Sequence, residues 1–173
     1  AFQKELDSSY ADPEHSPLTP EDLAHFEGLP FFEIDPRFYV IAKFKKAKQP
    51  KTFEMQTTTE RLPMYDIYGY AIFKLDGVKH KLPIYQSHRL REMEEFKSYL
   101  FLPFNDPTNG VESYGGGRFL DLEIPEGKTV VIDFNRAYNP YCAYNERYSC
   151  PVPPKENYVE IPVTAGVKAP KDH

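Results

Sequence analysis

The stretch YDIYGYAIFKLDGVKHKLPIYQ, residues 65–86, decides the fold class. Apolar and polar residues alternate on both sides of Asp76-Gly77, and alternation with a period of two is typical of a β-strand with one buried face. An Asp-Gly pair between two such runs predicts a two-residue hairpin turn, which pairs Leu75 with Val78.

This register divides the hairpin into two faces. One face collects Ile67, Gly69, Ala71, Phe73, Leu75, Val78, His80, Leu82 and Ile84. The other carries Asp66, Tyr68, Tyr70, Lys74, Lys79, Lys81 and Tyr85. We expect the first face to lie in the core and the second to be largely wet. A lone histidine on the apolar face, such as His80, is more often a hydrogen-bonded core group than a ligand.

Further strands are expected on both sides of this hairpin. The same alternation predicts strands at Phe38–Lys45, Thr52–Thr59, Tyr99–Phe104, RFLDLEI (118–124), KTVVIDFN (128–135) and Tyr158–Val163. Turn residues separate these runs, and no series of long helices alternates with them. We therefore expect a mainly β fold, an antiparallel sandwich or barrel-like sheet.

The first 30 residues predict a short helical arm that belongs to the same domain as the β region at residues 31–173. Thr19 supplies a helix cap, Pro20 the first helical position, and Glu21 and Asp22 the acids of the first turn. A second short amphipathic helix is predicted at Ser87–Lys97, where Leu90, Met93 and Phe96 recur every third residue.

Composition and charge exclude several classes of protein. The chain has 173 residues and a formal net charge of −5, and its lysines form no basic stripe, so nucleic acid is not an expected partner. No run approaches the roughly 18 apolar residues of a membrane span. The chain begins at Ala1 rather than at methionine, which fits removal of a signal peptide and leaves open a lipid anchor on the precursor.

Motifs for catalysis, cofactors and metals are weak. Gly115-Gly116-Gly117 is followed by a predicted strand rather than by a helix, so we interpret it as a tight loop with positive φ and not as a phosphate loop. There is no Gly-x-Ser-x-Gly and no His-Glu-x-x-His. We expect no cofactor and no metal.

The chain has two cysteines, Cys142 and Cys150, with seven residues between them. We predict a disulfide, which would close a loop of nine residues and add at most about 2.5 kcal/mol. Two free thiols or a zinc site are the alternatives, although the zinc site would need two further ligands from histidines that show no paired spacing.

A polar cluster is expected where the two strands after the glycines form a hairpin. If Ile124 lies opposite Thr129, then Arg118 faces Asn135, and Leu120 faces Asp133. Asn139, Glu156 and Asn157 could join this cluster from the following loop. We interpret it either as a structural ion pair that holds the loop or as the polar end of a ligand pocket.

Three blocks of sequence together resemble the bacterial family known as domain of unknown function 1684. They are FEGLPFFEIDPRF (26–38), LFLPFNDPTNGVESYGGGRFLDL (100–122) and DFNRAYNPYCAYNERYSCPVPPKEN (133–157). The resemblance runs from about Ala11 to Val167. It implies export to the periplasm or the cell surface, because members commonly carry signal peptides. It assigns no catalytic residue.

The expected function is the binding of a small polar or anionic ligand near Arg118, Asp133 and Asn135. One alternative is a hydrolase with Asp133 or Glu156 as its general base, because burial can tune a carboxylate for that role. The other is a structural or interaction module without a pocket. The position of Arg118 distinguishes them, since a filled, ion-paired interior favours a structural role.

Overall fold

A computed structural model describes residues 1–170 and is mainly β. Six antiparallel strands form a sheet that nearly closes into a barrel, and a helical arm precedes them. The strands are β1 (Tyr39–Glu54), β2 (Met64–Leu75), β3 (Val78–Ser87), β4 (Tyr99–Phe104), β5 (Arg118–Glu123) and β6 (Thr129–Asp133). The helices are α1 (Phe2–Ala11) and α2 (Pro20–Ala24).

The predicted hairpin is confirmed as β2–β3. Leu75 pairs with Val78 across Asp76 and Gly77. The turn residues have φ of 50° and 78°, the positive values that a tight hairpin turn requires. Phe73, Leu82 and Ile84 are buried, and Lys74, Lys79 and Lys81 are exposed, as the pattern predicts. His80 is also a core group, since its Nε2 accepts the backbone N–H of Glu160 at 3.1 Å.

A β-bulge divides the hairpin and makes part of the predicted pattern wrong. Ile67 lies opposite Tyr85 but Gly69 lies opposite Ile84, so Tyr68 is an extra residue in β2. The side chains of β2 that precede the bulge therefore lie on the opposite face from the one that the alternation predicted. Tyr68 packs against the barrel core, while Ile67 packs in a second cluster on the outer face.

Two apolar clusters lie on opposite faces of the sheet. The barrel core is formed by side chains such as Phe38, Ile84, Leu100, Leu102, Phe104 and Ile132. The outer cluster consists of Met55, Tyr65, Tyr85, Phe101 and Phe119. Tyr85 is 1% exposed, so the second face of the hairpin is not wet where this cluster covers it. Asp66 is 5% exposed for another reason, since it points to the opposite face from Tyr65 and Ile67 and is hydrogen-bonded there.

Several predicted elements differ in the structure. The two strands expected at Phe38–Lys45 and Thr52–Thr59 are one long strand, β1, with an irregularity between Lys46 and Lys51. The region Ser87–Lys97 forms two 3₁₀ turns instead of a helix. No strand forms at Tyr158–Val163 in the described chain, where Tyr158 makes a single bridge to Asn105. The cap of α2 is confirmed, with Thr19 Oγ1 accepting the N–H of Asp22 at 3.2 Å.

The expected hairpin between β5 and β6 is wrong. The strand order is β5-β4-β3-β2-β1-β6, so these two strands are the ends of the sheet. Arg118 lies opposite Phe104 of β4, and Asp133 lies opposite Tyr39 of β1. The Cα atoms of β5 and β6 lie mostly more than 8 Å apart, whereas neighbouring strands are about 4.8 Å apart.

The gap between these two strands is called the seam here. It is bounded at one end by the connection at residues 124–128 and at the other by an antiparallel bridge between Phe119 and Tyr138. The seam is the place where the barrel remains open. Neither α1 nor α2, the helices of the described chain, is long and apolar enough to cross a membrane.

Candidate ligand-binding groove at the seam

Arg118 is fully buried and does not contact Asp133. Its guanidinium donates to the carbonyl oxygens of Val163 (2.8 Å), Val167 (3.3 Å) and Ala165. It also forms an ion pair of 3.2 Å with Asp106, whose side chain is equally inaccessible to solvent. Burial lowers the pKa of Arg118, and the charge of Asp106 opposes that shift. The contacts give Arg118 a structural role, because they hold the segment at residues 163–167 onto β5.

Asp133 and Asn135 do lie together, as residues of one turn. Asp133 Oδ1 accepts the backbone N–H and the Nδ2 of Asn135, each at 3.0 Å. Asn135 also exchanges two 3.0 Å hydrogen bonds with the backbone of Asp35. These bonds cap the 3₁₀ turn Phe134–Arg136 and fix the chain where it leaves β6.

The other three candidates from the sequence lie apart from this turn's hydrogen bonds. Asn139 is buried and donates from Nδ2 to Tyr144 Oη at 2.9 Å and to the carbonyl oxygen of Lys168 at 3.0 Å. Asn157 is buried and joins Tyr85 Oη to the carbonyl oxygen of Pro83. Glu156 is exposed. The two asparagines therefore hold irregular backbone to the sheet.

Cys142 and Cys150 are free, and the predicted disulfide is not present. The two residues are nevertheless neighbours, since the backbone N–H of Cys142 donates to the Sγ of Cys150 at 3.2 Å. The hydrogen bond between their side chains lowers the pKa of Cys142 and raises that of Cys150. The loop is held by this contact and by its other hydrogen bonds.

Two adjoining cavities of about 430 and 520 Å³ form a groove along the seam. Both are lined by Phe2, Asp133 and Arg136. The first cavity extends between β5 and β6, and the second extends beneath the start of α1 to Ile34, Pro36 and Tyr39. Aliphatic side chains that line the first cavity are Leu120, Leu122, Ile124, Val130 and Val131. The groove therefore has apolar walls with a few charged groups at its centre.

Arg136 is the cation at the junction of the two cavities. Its guanidinium lies 4.8 Å from the centroid of the Phe2 ring, and the side chain is exposed. Among residues 1–170, no carboxylate lies within ion-pair distance of it. A planar guanidinium held on an aromatic ring keeps its N–H donors available to an anion.

Asp121 on β5 is a carboxylate of the first cavity that hydrogen bonds hold in place. Its Oδ1 accepts hydrogen bonds from Tyr99 Oη at 2.8 Å and from Tyr138 Oη at 2.6 Å. Burial is the main cause that raises the pKa values of both tyrosines well above the usual range. The charge of Asp121 is the next cause for Tyr99, whereas for Tyr138 the interaction with Tyr99 comes before that with Asp121. Both phenols therefore stay protonated and keep donating, and they fix this carboxylate at the edge of the groove.

The backbone edges of the seam carry unused hydrogen-bonding groups. On β5, the Phe119 N–H points away from β4 and donates to the Tyr138 carbonyl oxygen at 2.8 Å. Because backbone groups alternate along a strand, the N–H and C=O groups of Asp121 and Glu123 also point away from β4, into the seam. On β6, Phe44 N–H bonds Lys128 on the β1 side, so Thr129, Val131 and Asp133 present their backbone groups to the seam. No ladder fills this space in the described part of the chain.

Two other polar clusters have simpler interpretations. Asp66 accepts from Thr52 Oγ1 (2.5 Å), His88 Nε2 (2.7 Å) and Arg91 (2.9 Å). Burial would raise its pKa, but these bonds lower it to about 2, so it is a fixed anion between strands. Asp12, Glu14 and His15 offer ligand atoms within 4.8 Å of one another on the surface, where His15 is bonded to Asp12, and we assign no metal there.

The sequence did not predict Arg136, Asp121 or Phe2 as groove residues. Arg136 directly follows Asn135, which was predicted as a site residue. The prediction placed Asp133 and Asn135 in a strand, so it missed the turn that presents Arg136. The assumed pairing of β5 with β6 filled the seam with a ladder and thereby hid the groove.

The comparisons with known proteins agree with this architecture. A family model described as protein of unknown function (DUF1684) matches residues 24–168. The chain belongs to this family. DUF1684 membership agrees with the resemblance noted in the sequence. No curated protein matches the chain.

A solved relative has a similar fold. The solution NMR structure of the uncharacterized protein from gene locus rrnAC0354 of Haloarcula marismortui is 34% identical, with a TM-score of 0.75. The match covers 99% of this chain and 92% of that one. This DUF1684 protein is therefore similar along nearly its whole length to a protein described as uncharacterized.

Proposed function

We propose that this DUF1684 protein binds a small amphipathic ligand with an anionic group, and that the seam groove is its binding site. The observation that carries the proposal is the position of Arg136, an exposed guanidinium on the Phe2 ring at the junction of two cavities. Ligand sites of this kind combine apolar walls with a few polar groups that orient the ligand. The anion would contact Arg136, and the apolar body would lie against Leu122, Ile124 and Val131.

This proposal moves the ligand from Arg118 to Arg136. The interior position of Arg118 favours a structural role for that residue, because its two terminal nitrogens donate to Asp106 and three carbonyl oxygens. Asp133 and Asn135 contribute by fixing the turn that presents Arg136. We keep Asp133 as a groove residue because it lines both cavities.

The surroundings of the two candidate general bases, Asp133 and Glu156, favour a binding function over hydrolysis. Asp133 Oδ1 already accepts the backbone N–H and the Nδ2 of Asn135, so this oxygen is engaged in holding the turn. Glu156 is exposed and lines neither cavity. An interaction module without a pocket is disfavoured by the two cavities.

Titrations with small carboxylates test the proposal. Hexanoate and N-acetylleucine are the probes, hexanamide is the uncharged match, and binding is followed by ¹H–¹⁵N NMR. We expect both carboxylates to shift the amide signals of Asp121, Glu123, Val131 and Arg136, with hexanamide binding more weakly. Arg136→Gln should weaken carboxylate binding at least about tenfold, the equivalent of about 1.4 kcal/mol for one charge-assisted contact.

Arg89→Gln is the matched control, because Arg89 is exposed and lines neither cavity. It should leave the affinity unchanged. Equal losses in the two variants, or signal shifts confined to other surfaces, would reject the groove as the site. Export also stays a proposal, and fractionation of cells that express the natural gene tests it.

A further inference from the structure

We infer that the ligand class of the seam is the carboxyl-terminal end of an extended peptide, which adds a short strand between β5 and β6 and places its α-carboxylate on Arg136. This inference rests on the proposed function, since it uses the same groove and the same cation. It adds a specific backbone conformation, a direction and a pattern of side chains.

The first support is the backbone of the two edges. Asp121 and Glu123 on β5, and Thr129, Val131 and Asp133 on β6, direct their N–H and C=O groups into the seam. A peptide in extended conformation offers the complementary groups on both of its sides. Other small molecules of the same size would satisfy only some of these groups.

The second support is the width of the seam. A strand inserted between two others needs about 9.6 Å between them, twice the spacing of about 4.8 Å in a sheet. The Cα atoms of β5 and β6 lie mostly more than 8 Å apart, so they are too far apart to pair with each other directly. The cavity between them has a volume of about 430 Å³, which suits a segment of a few residues.

The third support is the closed end of the seam. Tyr138 already occupies the neighbouring-strand position beside Phe119, and its bridge is antiparallel to β5. A peptide that continues this antiparallel arrangement runs from the connection at 124–128 towards Tyr138 and must end there. Its carboxyl terminus then arrives beside Arg136, which lines the same cavity as Tyr138. A guanidinium is the side chain best suited to a terminal carboxylate.

The side chains of the edges define the sequence pattern of the peptide. Leu122 and Ile124 are half-buried side chains that line the cavity and pack against the barrel core, whereas Asp121 and Glu123 are exposed. Alternate residues of the added strand would therefore lie against apolar side chains, and the residues between them would face two carboxylates. The expected ligand has apolar residues alternating with lysine or arginine.

Four-residue peptides test the inference on the whole protein. Acetyl-Lys-Val-Lys-Val and acetyl-Val-Lys-Val-Lys, each with a free carboxylate, cover both phases of the alternation, and their C-terminal amides are the matched controls. We expect one acid to bind at least about tenfold more tightly than its amide, because only the acid can form a charge-assisted hydrogen bond with Arg136. Arg136→Gln should abolish that difference, and Arg89→Gln should preserve it.

Methylation of the peptide backbone distinguishes binding as an added strand from binding through the carboxylate alone. N-methylation of one residue of the better peptide removes a donor to one edge strand, and N-methylation of its neighbour removes a donor to the other edge strand. Either change should reduce the affinity at least about fivefold, as expected for one lost backbone hydrogen bond of about 1 kcal/mol.

The outcomes distinguish this inference from the proposed function. If the peptides bind no better than N-acetylleucine and tolerate N-methylation, the strand inference is wrong and the anion groove remains. If the peptide amides bind as tightly as the acids, the placement of the α-carboxylate on Arg136 is wrong, and the comparison of hexanoate with hexanamide decides separately whether Arg136 binds small carboxylates. If neither peptides nor small carboxylates bind, both proposals fail.

Discussion

Arg118 illustrates how a buried charge can organise irregular backbone. The segment at residues 163–167 makes a single bridge, between Val167 and Phe31, so most of its carbonyl oxygens lack ladder partners. The guanidinium of Arg118 supplies donors to three of them, and Asp106 balances its charge and accepts the N–H of Val163 at 2.8 Å. Removing one member of such a network leaves buried polar groups without partners, which costs more than the pair itself contributes.

We expect Arg118→Ala to lower the free energy of unfolding by about 3–5 kcal/mol, because Asp106 and three carbonyl oxygens lose their donor. Urea denaturation at neutral pH measures the change. Lys97→Ala is the matched control, since Lys97 pairs with Glu94 in solvent and should cost no more than about 1 kcal/mol. Similar small losses in both variants would mean that Arg118 is not the structural centre described here.

Asp66 should make the free energy of unfolding depend on pH in the acid range. Its pKa of about 2 in the folded protein lies below the usual value of 3.8, so its contribution is present above pH 4 and is lost as the pH falls from about 4 to 2. We expect Asp66→Asn to lower the free energy of unfolding at pH 7 by about 1–2 kcal/mol and to flatten its decline below pH 4. Glu95→Gln, at an exposed position, is the control. An unchanged acid profile in Asp66→Asn would contradict this account.

At the scale of elements, the sequence predicted those features of the fold that depend only on residues close together in the chain. The β2–β3 turn needs two residues with positive φ, and Asp76-Gly77 supplies them whatever the rest of the chain does. The bulge at Tyr68 was missed because it depends on the neighbouring strand. A Cβ on Gly69 would lie 2.8 Å from the carbonyl oxygen of Lys45, so the glycine permits an approach that no hairpin pattern reveals.

The hairpin faces can be tested by truncation. Phe73 is 6% exposed and packs beside His80 and Phe134, so Phe73→Ala should cost about 3–5 kcal/mol of the free energy of unfolding. Lys79→Ala, six residues away on the exposed face, should change it by less than about 0.5 kcal/mol. Thermal and urea denaturation of the two variants make the comparison. Equal losses of unfolding free energy in the two variants would contradict the assignment of Phe73 to the buried face and Lys79 to the exposed face.

The missed pairing of β5 and β6 belongs to the scale of the whole molecule. A connection of a few residues between two strands favours a hairpin, and the sequence was interpreted in that way. The structure instead pairs β6 with β1 and β5 with β4, which a local pattern cannot specify because it depends on how far the six-stranded sheet curls. The candidate site follows the same division. Asp133 and Asn135 were predicted to cluster with Arg118 across a hairpin, whereas the structure joins the first two in one turn without Arg118. The groove beside them exists only because the barrel does not close.

An open seam has a signature that requires no ligand. The N–H groups of Leu120 and Leu122 face β4 and those of Val130 and Ile132 face β1, whereas the N–H groups of Asp121, Glu123 and Val131 face the seam. Amide hydrogen exchange followed by NMR should therefore alternate along both strands, with slow exchange at the first four residues and fast exchange at the other three. Ala71 and Leu82 in the central hairpin, which are buried, provide the slow reference.

Strain or fraying at the sheet edge would give a different result. If β5 and β6 were simply less stable than the central hairpin, all of their amides would exchange quickly, without alternation. If the barrel closed in solution, the seam-facing amides would be as protected as their neighbours. Alternating exchange that becomes uniform protection on addition of the better acetylated tetrapeptide would show that the added strand uses these backbone groups. The same alternation with no change on addition would leave the seam open and the peptide unbound.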